Sequence, residues 1–293
     1  FIKNTVLLFV LTLLSCRNNS NSQSLVSNKS AVILGAQQTE RYLPILKNKN
    51  IGIVANQTSV IFKTTGSTHL VDSLLSLNIN VKKVFAPEHG FRGTADAGEY
   101  VTDGIDAGSG IPIVSLYGAN KIPDAAILSD LEVVIFDIQD VGARFYTFLS
   151  TLHYMMETCA KLGITVLVLD RPNPNGHYVD GPTLDLNHSS FVGIHPVPVV
   201  HGMTVGEYAQ MINGEGWLKE GLKCDLKVIP IRNYTHSTTY QLPINPSPNL
   251  PNSKAINLYP SLCFFEGTNM SMGRGTENQF QVIGSPYLKG DLY

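Results

Sequence analysis

The sequence predicts an α/β fold: a mostly parallel sheet flanked by helices. Two patterns carry that reading. Short, nearly continuous apolar runs recur along the chain, as strands buried on both faces require, and stretches of helical period separate them, as crossover helices do. A chain of 293 residues, 43% of them hydrophobic, can bury one large core or a core with a small second lobe.

Taken in order, residues 1–16 have the form of an export signal. Lys3 precedes an apolar run from Val6 to Leu14 that is too short to span a membrane. The run closes on Leu13-Leu14-Ser15-Cys16, which resembles a lipobox and makes Cys16 the expected lipid-bearing residue. The polar Asn/Ser stretch 17–30 then reads as a flexible tether. The expectation is an exported protein, a periplasmic or outer-membrane lipoprotein of a bacterium that meets the membrane through its lipid anchor only. The chain is expected to be truncated at both ends.

Strands are expected at 51–55, 81–86, 111–115, 133–138, 165–170, 197–200 and 226–231, and helices at 68–77, 147–162 and 205–213. In the second helix Phe148, Leu149, Leu152, Met155, Met156, Cys159 and Leu162 recur at helical spacing, so the methionine pair reads as core. Thr204 and Glu207 have capping-box spacing at the start of the third, which accounts for Glu207 without catalysis. Cys159, Cys224 and Cys263 show no ligand spacing and read as free thiols. The net charge of −2 and the lack of a Lys/Arg cluster in the body exclude a nucleic-acid footprint.

In open α/β sheets ligands bind beyond the carboxyl ends of the strands. Those positions are polar here. The run Pro87-Glu88-His89-Gly90-Phe91-Arg92-Gly93 and the run Asp137-Ile138-Gln139-Asp140-Val141-Gly142-Ala143-Arg144-Phe145-Tyr146 set ionisable groups among apolar residues and glycines, more than turn chemistry needs. Asp170-Arg171 with Asn173, and His201, lie at later strand ends. The glycine-rich stretch from Phe265 to Glu277 carries Glu266, Asn269, Ser271 and Arg274 and reads as a site loop.

Carboxylates, arginines, a histidine and amides, with no metal or nucleophile motif, suit glycosidic cleavage, which uses an acid, a second carboxylate or base, and hydrogen bonders for sugar hydroxyls. Glu88 is the first candidate for the acid/base role. Asp137 and Asp140 are candidates for its partner, with Asp170 behind them. Arg92, Arg144, Arg171 and Arg274 outnumber what sugar hydroxyls need and suit an anionic sugar, although at least two of the four are expected only to pair with neighbouring carboxylates. His89, Gln139, Tyr146, Asp170, Asn173, His201, Glu266, Asn269 and Ser271 complete the expected binding set.

These motifs, together with Leu169-Asp170-Arg171-Pro172-Asn173-Pro174 and the run from Phe265 to Thr276, resemble the NamZ-type exo-β-N-acetylmuramidases, and the likeness extends from about Val32 to the end of the chain. The resemblance implies an α/β architecture made of a Rossmann-like catalytic domain, a mostly parallel sheet flanked by helices over 31–251, followed by a smaller C-terminal domain that residues 252–293 begin, with the active site in the cleft between them. It also implies removal of β-linked N-acetylmuramic acid from the non-reducing ends of peptidoglycan fragments, with no cofactor and with Glu88 leading the chemistry.

Other readings stand beside it. A nucleotide-dependent oxidoreductase lacks a GxGxxG after the first strand. An exported serine esterase would use Ser271, without a GxSxG elbow or an SxxK. A metal hydrolase would gather His89, His201, Asp137 and Asp170, without ligand spacing. A non-catalytic lipoprotein that binds muropeptides would need the same polar cleft.

Overall fold

The computed structural model describes residues 31–92 and 102–289. The expected export signal, Cys16, the expected tether and Gly93 therefore lie outside the described residues. From Val32 onward the chain forms one compact unit.

Its frame is a seven-stranded sheet. β1 (Ile51–Ala55), β4 (Val81–Ala86), β6 (Pro112–Ser115), β7 (Val133–Asp137), β8 (Thr165–Leu169) and β9 (Leu226–Ile229) are mutually parallel, and β5 (Gly104–Ile105) joins one edge antiparallel to β6. The spatial order is β5-β6-β4-β1-β7-β8-β9. Counting the parallel strands alone, this is the order 3-2-1-4-5-6 of the doubly wound dinucleotide-binding sheet. Its switch point falls between β1 and β7. A separate hairpin of β2 (Val60–Phe62) and β3 (Ser67–His69) follows β1, where a nucleotide-binding fold would pass directly into a helix.

Both faces of the sheet are covered because side chains alternate along each strand. Ile51, Ile53, Val84, Ile135 and Leu167 point into a core closed by α1 (Thr39–Leu46) and α2 (Leu70–Ser76), through Tyr42, Leu46, Leu70 and Leu74. Val54, Phe85, Val134, Phe136, Val166 and Val168 point the other way. There α3 (Ala125–Leu128), α4 (Phe148–Leu162), α5 (Val205–Gly214) and α6 (Ser253–Leu262) close the larger core. Each such side chain, withdrawn from water, contributes about 1.5–3 kcal/mol. The methionine pair Met155 and Met156 is fully buried in this second core, as its spacing requires. Gly163 ends α4 in the left-handed conformation, at φ 68°, that a helix C-terminus favours.

One expected strand is different. Residues 197–200 form only isolated bridges, from Val200 to Ala143 and to Asp180. Pro196 and Pro198 remove the donors that a ladder needs, so the apolar run is an extended tie. The helix expected at 68–77 is shorter because Ser67, Thr68 and His69 pair with β2 before the chain turns helical.

Candidate active site

The carboxyl ends of β4 and β6, together with the start of α4, the loop 186–193 and the segments before and after α6, enclose a cavity of about 650 Å³. Glu88 and His89 enter it from the turn after β4. That turn is backbone-strained: His89 sits at φ 71° and Gly90 at φ 77°, a left-handed pair that only the second residue adopts freely. The turn holds His89 buried against the cavity with Glu88 half-exposed beside it.

Among the described residues, the hydroxyls of Thr147 and Tyr117 hold Glu88. Thr147 Oγ1 donates to Glu88 Oε2 at 2.9 Å. Tyr117, just past β6, hydrogen bonds to the same carboxylate; burial and the Glu88 charge push its phenol up to about 12, so it remains a donor. Thr147 is the N-cap residue of α4, yet its side chain makes no capping bond. The helix gives up a contact typically worth about 1 kcal/mol, and the hydroxyl serves Glu88 instead.

The remaining walls are aromatic. Phe145 meets Tyr259 and Phe264 edge-on at 5.8 and 5.2 Å, and Tyr146 meets Tyr259 at 5.8 Å while its hydroxyl donates to the Pro246 carbonyl at 2.9 Å. Across the opening Phe191 stacks on Tyr154 and approaches Tyr117 at 6.4 Å. A second carboxylate, Glu266, faces the same space; Arg274 Nη1 lies 2.6 Å from its Oε1 and the Cys263 thiol donates to its Oε2 at 3.2 Å.

The other expected residues do not reach this cavity. Asp137 is fully buried in a two-pronged pair with Arg171, Nε to Oδ1 at 2.6 Å and Nη2 to Oδ2 at 2.9 Å, which occupies both carboxylate oxygens. Asp170 is likewise buried. It accepts the amides of Arg171 and Gly206 and the Thr204 hydroxyl, receiving the N-terminus of α5, and burial pushes it up to about 6. Asp140 accepts the Gly142 amide at 2.7 Å, and burial, outweighing that amide and the amide of Val141, pushes it up to about 7.

Gln139 donates to the carbonyls of Asp140 and Pro172, Asn173 to that of Met203, and the His201 ring accepts the Met203 amide. Arg92 pairs with Asp106, which it holds down at about 2, and Arg144 ties the carbonyls of Pro182 and Val197. Asn269 and Ser271 are exposed, and the Ser271 hydroxyl accepts the Gly273 amide within its own turn. The four residues of the metal-hydrolase reading are thus spent on different partners or sites, and among the described residues no three His, Cys, Asp or Glu side chains gather as a metal site. Thr204 and Glu207 do form a capping box, and His236 Nε2 bonds the outer oxygen of Glu207 at 2.9 Å.

Asn173 also fixes the turn that leads into the site. Gly142 has φ 77°, and a Cβ there would lie 2.3 Å from Asn173 Oδ1. That side chain cannot swing aside without losing its bonds to Asn175 and Met203. Gly142→Ala is therefore expected to cost about 2–4 kcal/mol, from backbone strain and overpacking together. Denaturant unfolding measures it, and a cost below about 1 kcal/mol would show that the turn re-forms.

The chain matches two adjacent family models, "Exo-beta-N-acetylmuramidase NamZ, N-terminal" over residues 51–254 and "Exo-beta-N-acetylmuramidase NamZ, C-terminal" over residues 257–293. The chain belongs to the NamZ exo-β-N-acetylmuramidase family. It is 41% identical over 254 residues to the peptidoglycan β-N-acetylmuramidase NamZ of Bacillus subtilis (strain 168), covering 85% of this chain and 60% of that protein. Two crystal structures of DUF1343 family proteins from Bacteroides fragilis NCTC 9343 share its fold. One is 52% identical with a TM-score of 0.80, the other 30% identical with 0.79; each match covers 89% of this chain, and 69% and 67% of the respective relatives.

The cavity is built from both NamZ segments. Glu88, His89, Tyr117, Tyr146 and Thr147 belong to the first, and Tyr259, Phe264, Glu266, Arg274 and Phe280 to the second. Sequence reasoning chose Glu88, His89, Tyr146, Glu266 and Arg274 from that set. Thr147 was legible only as a helix start and the end of a family-like run, and Tyr117, Lys121 and Phe191 carried no motif. A threonine at an N-cap position carries no sign of whether its hydroxyl caps the helix or faces a cavity.

Behind α4 lies a polar cluster that the motifs do not announce. His153 Nδ1 and His195 Nε2 share a hydrogen bond of 2.9 Å, His195 Nδ1 bonds the Tyr208 hydroxyl at 3.1 Å, and the His195 ring stacks on Trp217. Burial, helped by the neighbouring His153, pulls His195 down to about 3. The unfolded chain takes up this proton first as pH falls, so the stability of the neutral ring is fully present above pH 6.5 and drains away toward pH 3. The wild type should lose about 1.4 kcal/mol more per pH unit below pH 6 than His195→Gln. The buried aspartates titrate in both proteins and cancel in the comparison. Parallel stability profiles for the two would refute the assignment.

Proposed function

We propose that the protein is an exo-acting glycoside hydrolase that removes β-linked N-acetylmuramic acid from the non-reducing ends of peptidoglycan fragments. The chain spans 60% of the length of its curated relative, so this reading concerns the protein to which the chain belongs. The observation that carries it is Glu88, oriented by Thr147 and Tyr117 in an aromatic-walled cavity that both family segments line.

A cavity of about 650 Å³ is of small-ligand size and accommodates a terminal sugar. Aromatic faces receive the apolar faces of a pyranose, and polar groups among them fix its hydroxyls. Glu88 delivers a proton to the glycosidic oxygen as the bond to the anomeric carbon breaks, the aglycone leaves as an alcohol, and a water adds its hydroxyl to that carbon while its remaining proton replaces the one that Glu88 gave up. Glu266, the other carboxylate in the cavity, faces the positive charge that develops on the sugar ring. The Glu266–Arg274 pair comes from the second segment, so the proposed site is complete only when both segments are folded together. Export as a lipoprotein through Cys16 would place the enzyme beside its wall substrate.

Incubation with a chromogenic β-N-acetylmuramide and the matching β-N-acetylglucosaminide tests the proposal. Release from the muramide, with the glucosaminide at least tenfold slower, is the expected result. A well-folded protein that turns over neither would defeat the glycosidase reading and favour a muropeptide-binding role.

A further inference from the structure

We propose that Lys121 recognises the carboxylate of an acidic sugar in this cavity and so sets its preference for a muramic over a neutral N-acetylhexosamine. The inference rests on the reaction class proposed above and names the residue that selects the substrate. The need for a cation follows from chemistry: a muramic acid differs from its neutral counterpart by a lactyl ether that ends in a carboxylate, and only a cation or a strong donor can distinguish the two.

Three of the four arginines suggested by the sequence lie outside the cavity. Arg171 is locked to buried Asp137, Arg92 to Asp106, and Arg144 to two backbone carbonyls outside the cavity. Arg274 does line the cavity, but its guanidinium is 2.6 Å from Glu266. Lys121 lines the same cavity and makes no ion pair among the described residues.

Its position is nonetheless defined. Lys121 lies in the loop between β6 and α3, half-buried, with Nζ 4.7 Å from the centroid of the Phe191 ring. Phe191 is steadied from behind by Tyr154, stacked at 6.2 Å with the planes 9° apart. It also meets Tyr117, and Tyr117 bonds Glu88. The acid and the free cation are therefore connected by two neighbouring rings. A sugar whose glycosidic oxygen rests at Glu88 and whose ring lies along Tyr117 and Phe191 presents its substituents to the ammonium. A neutral sugar leaves Lys121 as it is, whereas a lactyl carboxylate gains a charge-assisted hydrogen bond.

The test is calorimetric binding of free N-acetylmuramic acid and of its uncharged lactamide to the wild type, Lys121→Met, Lys121→Arg and Arg274→Gln. Methionine keeps the stem over Phe191 and removes only the charge. Lys121→Met should weaken the acid roughly tenfold to a hundredfold and change the lactamide by less than about twofold, on the scale of neutral contacts. Lys121→Arg should keep most of the discrimination, and the salt sensitivity of acid binding should vanish in Lys121→Met.

Equal losses for both ligands in Lys121→Met would overturn the proposal and leave Lys121 a support for Phe191. Unchanged acid binding, absence of binding to the wild type, or discrimination lost instead in Arg274→Gln would overturn it as well. Turnover of the chromogenic muramide, measured alongside, separates the two readings. Binding that depends on Lys121 without hydrolysis defeats the glycosidase and keeps the recognition site, whereas hydrolysis indifferent to Lys121 does the reverse.

Discussion

Glu88→Gln is expected to lower kcat on a β-N-acetylmuramide by roughly a hundredfold to ten-thousandfold, the range that general acid catalysis supplies. The amide has the shape of the acid and can still accept from Thr147, but it carries no transferable proton. The loss should therefore appear in kcat and in kcat/KM alike, with KM nearly unchanged. The unfolding midpoint should stay within about two degrees, because Glu88 is half-exposed and contributes little to the core. Thr147→Val removes a hydroxyl that orients the carboxylate and should cost less, about tenfold, the worth of one hydrogen bond to a charged group. Glu266→Gln is the control within the same cavity. If it abolishes turnover and Glu88→Gln does not, the acid role moves to the segment after α6.

The central strands β1, β7 and β8 were legible because they are buried on both faces. β1 and β4 have the predicted limits, since an apolar run bounded by Asn or Pro has one reading at that length. The hairpin of β2 and β3 and the helix α1 were not foreseen. Both are short, α1 contains Pro44, and their order comes from packing on the sheet and not from local pattern. At the strand ends the sequence showed that charges gather, but not what they meet. Asp137 and Arg171 lie 34 positions apart, and nothing local says that one closes on the other.

Asp170 has the same ambiguity. An acidic residue after a strand can face a ligand or receive the amides of a helix that arrives much later, here at Gly206. Glu88 was readable because its neighbours, a histidine and a glycine at positive φ, serve no helix and no ladder. The cations needed the fold. Four arginines drew attention to anion binding, while Lys121 stands in a loop with no motif, and only the distribution of ion pairs shows which positive charge the cavity still holds.

That distribution leads to the largest expected effect on stability. Arg171→Met leaves Asp137, fully buried at the end of β7, without the guanidinium that occupies both its oxygens, and should cost about 3–5 kcal/mol. Most of that cost is the penalty of an uncompensated charge, so a second change should recover it. Arg171→Met combined with Asp137→Leu replaces the pair by apolar side chains in the same space, and such exchanges are commonly neutral or better. Recovery to within about 1 kcal/mol of the wild type is the expected result in denaturant unfolding.

The double variant also asks a question of function that neither single variant can. A catalytic Asp137 would make it inactive however well it folds, whereas a carboxylate that only anchors Arg171 behind the sheet's switch point would leave turnover within about tenfold. The geometry predicts the second outcome. Arg171 also reaches the Val60 carbonyl at 3.4 Å, so the pair fastens the hairpin after β1 to the loop after β8. In this chain the crevice that a dinucleotide-binding sheet leaves for its ligand is closed by an ion pair, and the cavity has moved to the ends of β4 and β6, where Glu88 and Tyr117 stand.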